Sequence, residues 1–272
     1  LKIFLSGLNN VADPELLEHV EKKRAKVLLS YYHHFTSNPV VTKYKWKANE
    51  VFIDSGGFSV RFHGIQIPIE NYRDWLLRMK GGFIICANLD PLDMREAMHN
   101  LAVLEKAGFS PWPVYHNTEY LDRRWKDVIK GWCKDYEGVC ISGVSYAATV
   151  KKATKMKNGR LESPYHDFIF EEAMKHGTKI HGLAATNQTL LRQYPFYSAD
   201  STTWKNSDRF GVVHEFRGNR LIHHAGVRTK TGRQRDHRTQ MPKVQRMIRS
   251  IDAWVQYEEY LTQLWAERGV TW

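Results

Sequence analysis

The sequence predicts an α/β protein: a (β/α)8 barrel of the TIM type with basic insertions, a C-terminal helix and no zinc subdomain. Three observations lead there. Eight short β-branched and aromatic runs alternate with longer segments of helical period. At 272 residues the chain has the length at which one such barrel forms a single unit. The rival architecture, a doubly wound sheet, usually carries a glycine-rich nucleotide loop after its first strand, and Ser6-Gly7-Leu8-Asn9-Asn10 does not supply one.

The strands are expected at Lys2–Ser6, Val27–Tyr31, Val51–Asp54, Phe83–Ala87, Trp112–Tyr115, Val139–Ser142, Lys179–Leu183 and Phe196–Ala199. Between them lie helical patterns. The first, Pro14–Lys26, opens with Asp13 as N-cap and Pro14 at the first helical position. Others are expected over Asn71–Lys80, Pro91–Ala107 (stopped by Gly108), Glu119–Trp132, Pro164–His176 and Asn187–Gln193. The last, Pro242–Trp265, spaces Val244, Met247, Ile251, Trp254, Leu261 and Trp265 along one face, so it should pack on the barrel exterior. We divide the chain into a barrel core with the catalytic face, 1–204, and a basic extension with its closing helix, 205–272, packed on the same barrel.

Composition narrows the function. Forty Lys and Arg against 29 Asp and Glu leave a net charge of +11, before any of 13 His takes a proton. Small neutral metabolites do not need that excess; phosphate does. Three cysteines, Cys86, Cys133 and Cys140, with no CxxC spacing argue against a disulfide framework and a Cys-rich metal site. His214, His223, His224 and His237 lack a metal-ligand spacing, so no metal is expected. Without an apolar run of about 20 residues, and with Leu1–Leu5 too short for a secretory signal, the expected location is the cytoplasm.

Positive charge concentrates in residues 150–160 and 205–249. A solvated charged surface is the ordinary reading of such runs. The few acids within 205–249 favour nucleic-acid contact instead, through Lys151, Lys152, Lys155, Lys205, Arg228, Lys230, Arg233 and Arg235, with Trp204 and Phe210 placed to stack on a base.

In a barrel of this type the C-terminal strand ends face the active site. Asp54-Ser55-Gly56-Gly57-Phe58 follows one apolar strand: its carboxylate can move protons, its glycines admit a flat ligand, and its ring can stack on it. The same residues make a good tight turn. Asp200, in Tyr197-Ser198-Ala199-Asp200, ends the last strand and gives the mouth a second carboxylate, or caps a turn. Asp90, in Ala87-Asn88-Leu89-Asp90-Pro91, suits the N–H edge of a purine and suits equally the capping of the next helix. Ser142-Gly143-Val144 and His181-Gly182 are glycine turns at strand ends, and His116 ends another strand.

In this order, Asp54–Phe58, Asn88-Leu89-Asp90, Pro113–His116, Ile141–Ser145, Ile180–Ala184 and Tyr197–Trp204 resemble the tRNA-guanine transglycosylase family. The first element is the most specific, and together they span about residues 50–204. The resemblance implies a (β/α)8 barrel that exchanges guanine in a nucleic acid for a 7-deazaguanine base. It implies Asp200 as the nucleophile at the sugar C1′ and Asp54 as the general acid/base. Ser55, Gly56, Gly57, Phe58, Asn88, Asp90, Gly143, Val144, His181 and Gly182 would then form the base pocket. His116 stands where the family usually has glutamine.

The tRNA-modifying members carry a zinc site of three cysteines and a histidine, whereas no cysteine follows Cys140 here. Their Pro-Thr-Arg after the nucleophile is replaced by Ser201-Thr202-Thr203-Trp204. The chain is therefore more similar to the DNA-directed branch of bacteriophages and bacterial modification islands, where the cytoplasm would be the host's. The expected partners are DNA and a free base such as the 7-cyano form, preQ0; no cofactor is expected, and a homodimer fits the family. The alternatives are the same exchange on tRNA and a catalytically inactive nucleic-acid-binding barrel.

Overall fold

The computed structural model describes residues 1–36, 50–57, 63–91, 93–116, 124–142, 155–157, 160–225, 227–229, 232–234 and 241–272. At 10, 155–157, 160–161, 208–209, 227–229 and 232–234 it describes the backbone alone. The strands are β1 (Lys2–Ser6), β2 (Val27–Ser30), β3 (Val51–Asp54), β4 (Ile85–Cys86), β5 (Val114–His116), β6 (Gly138–Ser142), β7 (Lys155–Lys157), β8 (Arg160–Glu162), β9 (Lys179–Gly182), β10 (Ser198–Ser201), β11 (Val213–Arg217), β12 (Arg220–His224), β13 (Val227–Thr229) and β14 (Gly232–Gln234). The helices are α1 (Pro14–Lys22), α2 (Tyr31–Thr36), α3 (Ile69–Arg78), α4 (Met94–Lys106), α5 (Trp125–Asp135), α6 (Pro164–His176), α7 (Gln188–Gln193), α8 (Asn206–Arg209) and α9 (Lys243–Glu267).

Eight strands form one curled, all-parallel sheet in the order β4-β3-β2-β1-β10-β9-β6-β5, flanked by helices. All eight runs expected from the sequence enter it, in chain order, with β1 against β10. The expected ring is met only in part. Among the described residues the edges β4 and β5 meet in a single parallel bridge, Ala87 with Trp112, rather than a ladder, so the barrel is not closed. The shortness of β4 is the physical reason. Phe83 and Ile84, expected to belong to it, fall outside, and Ile84 is half exposed where an inner ladder would bury it. The other strands pair in hairpins, β7 with β8, β11 with β12 and β13 with β14, inside segments that composition marks only as basic.

Side chains alternate faces along a strand. Ile3, Leu5, Val27, Leu29, Val51, Ile53, Val139, Ile141 and Ile180 point outward and bury against the helices. Phe4, Leu28, Phe52, Ile85, Trp112, Val114, Cys140 and Tyr197 form a separate inner cluster. Two residues further along the same strands, that inner face turns polar. This switch is what makes a site.

The helices stop and start where their caps dictate. Asp13 accepts from Leu16 N at 3.1 Å before Pro14. Gly177, at φ 71°, ends α6, where a left-handed residue is needed. Helix α9 buries Met247, Ile251, Trp254, Tyr257, Leu261 and Trp265, each worth about 1.5–3 kcal/mol of transfer from water. It also holds β1: Ile3 N donates to Glu258 Oε2 at 2.6 Å, and Glu258 pairs with Lys26 on the approach to β2. No described helix is long and apolar enough to cross a membrane.

Candidate active site

The inner residues next along each strand are Ser6 on β1, Ser30 on β2, Asp54 on β3, His116 on β5, Ser142 on β6 and Asp200 on β10. All lie at C-terminal strand ends above the Phe4–Phe52–Trp112 floor. His181 on β9 joins floor to rim, its ring stacked on Phe52 at 4.3 Å between centroids.

Asp54 ends β3 opposite Ser30. Its Oδ2 accepts from Gly56 N at 2.9 Å, a turn that Gly56 can close because it sits at φ 84°. A Cβ there would come within 2.3 Å of Tyr32 Cβ and 2.6 Å of Ser30 Oγ. Burial, and then the negative charges of Asp90 and Asp200, push the Asp54 carboxyl up from 3.8 to about 7; hydrogen bonds from Gly56 and Ser30 oppose the rise. The side chain is still partly open to water, so the shift reflects the acidic neighbours as well as enclosure. The Cys140 thiol on β6 is driven well above its ordinary range by burial and by the same three carboxylates, Asp54, Asp90 and Asp200. Three acids therefore converge on one inner space.

Asp200 is buried, at 7% exposure, with a donor on each oxygen. Ser6 Oγ donates to Oδ2 at 2.6 Å and Ala184 N donates to Oδ1 at 2.8 Å. Ala184 adopts φ 52°, a left-handed conformation that costs a non-glycine residue about 1 kcal/mol or more. The turn after β9 accepts that strain and aims an N–H at the carboxylate. His181 Nδ1 lies 2.8 Å from Ser198 Oγ, and its Nε2 stands 3.4 Å from Asp200 Oδ1.

Asp90, expected to cap the helix after β4 or to read a ligand, does not cap. The N-cap of α4 is Asp93, accepting from Arg95 N and Glu96 N, three residues beyond. Asp90 turns inward, at 6% exposure. Ser55 Oγ donates to its Oδ1 at 2.7 Å, and its Oδ2 pairs with His116 Nε2 at 2.7 Å. His116 Nδ1 lies 2.6 Å from Ser142 Oγ. A chain of polar contacts thus runs from β6 through β5 to the Asp54 turn. Gly57 lets the carboxylate pack on backbone, since a Cβ there would stand 2.5 Å from Asp90 Oδ1.

The structure brings Asp54, Ser55, Gly56, Gly57, Asp90, His116, His181 and Asp200 together. Asn88 is buried beside them in a structural role, its Nδ2 donating to Ala97 O at 2.9 Å. Gly182 admits Ala185 and Phe196: a Cβ on it would stand 2.6 Å from Ala185 Cβ and 2.9 Å from Phe196 Cε1, so its bareness serves packing. Trp204 corrects an expectation. It is fully buried and its Nε1 donates to Ser6 O at 2.9 Å, so its ring offers no face to a base. Lys205 is half-buried at the rim, where its Nζ donates to Gly7 O at 2.9 Å. Phe58, Gly143, Val144, Lys151, Lys152, Lys230 and Arg235 lie outside the described residues, and Lys155, Arg228 and Arg233 are described by backbone alone.

Sequence reasoning missed Ser6 and Ala184 as partners of Asp200, and Ser142 as the partner of His116. Strand alternation, counted inward from Phe4 and Cys140, was the signal that could have found the two serines. Among the described residues no group of three or more His, Cys, Asp or Glu side chains could hold a metal ion. His214 and His223 meet edge to face at 4.6 Å instead, and His224 pairs with Glu215 at 2.7 Å. A hollow at the opposite, N-terminal strand edge is lined by Phe83, Ile85, Phe109, Trp112 and Tyr197, and carries no comparable group of acids.

No protein-family model matches the chain, and no curated protein matches it. Among solved structures the chain is similar to nitroalkane oxidase from Streptomyces ansochromogenes, with 9% identity and a TM-score of 0.37 over 98% of this chain and 85% of that one. A likeness that slight carries no argument about chemistry.

Proposed function

We propose that this protein is a pentosyltransferase, a guanine transglycosylase that exchanges guanine in DNA for a free 7-deazaguanine base such as preQ0, on a (β/α)8 barrel. One observation carries the reading: Asp54 and Asp200 lie on different strands of one sheet, and burial, then the charge of Asp90, then that of Asp200 raise the Asp54 carboxyl to about 7. The resemblance of the surrounding motifs supports it.

In this reading the target nucleotide leaves the stack, which costs a few kcal/mol. Asp200, oriented by Ser6 and Ala184, attacks C1′. The C1′–N bond to guanine breaks as Asp54 gives its proton to the departing base, leaving a covalent sugar ester on Asp200. Asp54, now anionic, takes the proton from the incoming 7-deazaguanine. That base attacks C1′, expels the Asp200 carboxylate and leaves Asp54 protonated as it began. A group titrating near 7 suits both directions of this proton transfer. Asp90 accepts hydrogen bonds from the N–H edge of either base, held for the purpose by Ser55 and His116. No cofactor takes part in this scheme. The basic excess supports a phosphate-bearing partner, and Ser201-Thr202-Thr203-Trp204 after Asp200, in place of the Pro-Thr-Arg of the tRNA-modifying members, supports DNA over tRNA.

The test is incorporation of labelled 7-deazaguanine into duplex DNA, single-stranded DNA and tRNA in parallel. Label is expected in DNA with the wild type and none with Asp200→Asn. Label in tRNA alone would transfer the reading to the RNA substrate. Wild-type incorporation no higher than Asp200→Asn on every substrate would reduce the protein to a binding barrel.

A further inference from the structure

We infer that His181 is a positioning residue for Asp200: from beneath the carboxylate, its Nε2–H steadies the negative charge that returns to Asp200 as the sugar leaves it. The inference rests on the exchange reading for the step in which Asp200 takes part.

His181 lies on β9 with Ser198 of β10 opposite it on one side and Cys140 of β6 on the other. Side chains at paired positions share a face, so its ring turns inward with theirs. There it stacks on Phe52, with 4.3 Å between centroids and 27° between planes, and meets Phe4 edge to face at 6.2 Å. The residue is fully buried. A ring with no accessible surface touches no ligand, so it acts only through a neighbour.

The proton inventory of the ring identifies that neighbour. Nδ1 lies 2.8 Å from Ser198 Oγ, and Nε2 stands 3.4 Å from Asp200 Oδ1 without making a hydrogen bond. A carboxylate only accepts, so Nε2 faces it favourably only as an N–H, whether the ring carries one proton or two. With one proton, Nδ1 accepts from the Ser198 hydroxyl, and that bond sets the tautomer. A buried N–H without a full partner costs stability, and its persistence calls for a reason.

The reaction supplies one. Asp200 already receives Ser6 Oγ on Oδ2 at 2.6 Å and Ala184 N on Oδ1 at 2.8 Å. In the sugar ester its charge is gone. When the incoming base attacks C1′, the bond from C1′ to the aspartyl oxygen breaks and its electron pair returns to the carboxylate. The imidazole needs to close by only about half an ångström to donate at ordinary length as that charge builds. Hydrogen bonds to an ionised acceptor are the stronger ones, so this donor favours the free carboxylate over the ester. It speeds departure of the sugar, gives no help to its attachment, and keeps the protein from being trapped as its own ester.

Two measurements test this. Quenched mixing of the protein with a guanine-containing oligodeoxynucleotide or tRNA, resolved on denaturing gels, follows formation of the covalent adduct; a chase with preQ0 follows its breakdown. His181→Phe keeps a ring on Phe52 and loses the donor. It should slow breakdown on the order of tenfold, the effect of one hydrogen bond to a charged group, while forming the adduct no more slowly than wild type. His181→Gln, whose amide N–H reaches about the place of Nε2, should recover most of that loss. A folded His181→Phe that slows both steps alike, or leaves breakdown unchanged, overturns the inference. The 15N spectrum of histidine-labelled protein needs no turnover. The signals missing from His181→Gln should belong to a ring protonated at Nε2, and should move in Asp200→Asn. A ring protonated at Nδ1 with Nε2 bare overturns the inference even where exchange occurs. A wild type that forms no adduct on either substrate sinks the exchange reading, and an Nε2–H that still answers to Asp200→Asn then keeps His181 as the partner of that carboxylate.

Discussion

Replacing Asp54 by Asn should make the protein more stable at alkaline pH while ending its chemistry. The folded-state carboxyl titrates near 7, against 3.8 ordinarily, through burial and the charges of Asp90 and Asp200. Between those two values the folded chain keeps a proton that the unfolded chain has released. Stability from this group is therefore full below about pH 4 and falls as pH rises toward 7. A rise of about three pH units at about 1.4 kcal/mol each gives a cost of about 4 kcal/mol above pH 7. The partial access of Asp54 to water screens that to about 2 kcal/mol. Asparagine retains an oxygen for Gly56 N and cannot ionise. Urea unfolding, followed by tryptophan fluorescence at pH 4, 6 and 8, should show wild type and Asp54→Asn equal at pH 4. The variant should be ahead by about 2 kcal/mol at pH 8. A difference that does not change with pH, or a variant weaker at pH 8, would refute the electrostatic account of the site.

Three further outcomes follow from the same geometry. Gly56→Ala forces a side chain into φ 84° and against Tyr32 Cβ, so it should cost about 2–4 kcal/mol in thermal unfolding; a melting point within a degree or two of wild type would contradict the packing at that turn. Ser6→Ala strips Asp200 of its 2.6 Å donor and should cut kcat for base exchange by roughly tenfold to a hundredfold, leaving KM for the free base unchanged. A rise in KM at constant kcat would assign Ser6 to binding instead. Trp204→Phe should cost about 1–2 kcal/mol of stability through the abandoned Ser6 carbonyl, yet leave the salt dependence of DNA binding as it was. An altered slope would return the indole to the nucleic-acid surface.

Much of the scaffold was legible because its signals are local. Apolar runs of β-branched residues marked all eight sheet strands, and Asp13-Pro14 marked the start of α1. Ambiguity entered where two residues competed for one task. Asp90 and Asp93 both stand ahead of α4, and only the fold decides that the second caps it while the first turns inward. Trp204 sits among basic residues and reads as surface. Its indole N–H instead satisfies a carbonyl at the end of β1, a demand that no nearby residue announces. The strand bearing Asp200 runs over Ser198–Ser201 rather than the expected Phe196–Ala199, which puts the carboxylate inside the strand, in register with Phe4. Ala184 left no trace in the sequence, and Ser6 only its place two residues beyond Phe4. A serine and an alanine are chemically plain until strand pairing and a left-handed turn point their donors at an acid.

Ser6 and Asp200 touch across 194 positions of sequence, and the strand that bears Ser6 is itself held by Glu258 on α9. During synthesis β1 emerges long before either companion exists, and must wait for them. Closing so wide a loop is entropically slow, so the Asp200 carboxylate gains its orientation only when nearly the whole molecule has condensed. A partly folded chain can possess both acids, and even much of its helix, and still leave that carboxylate without its donors.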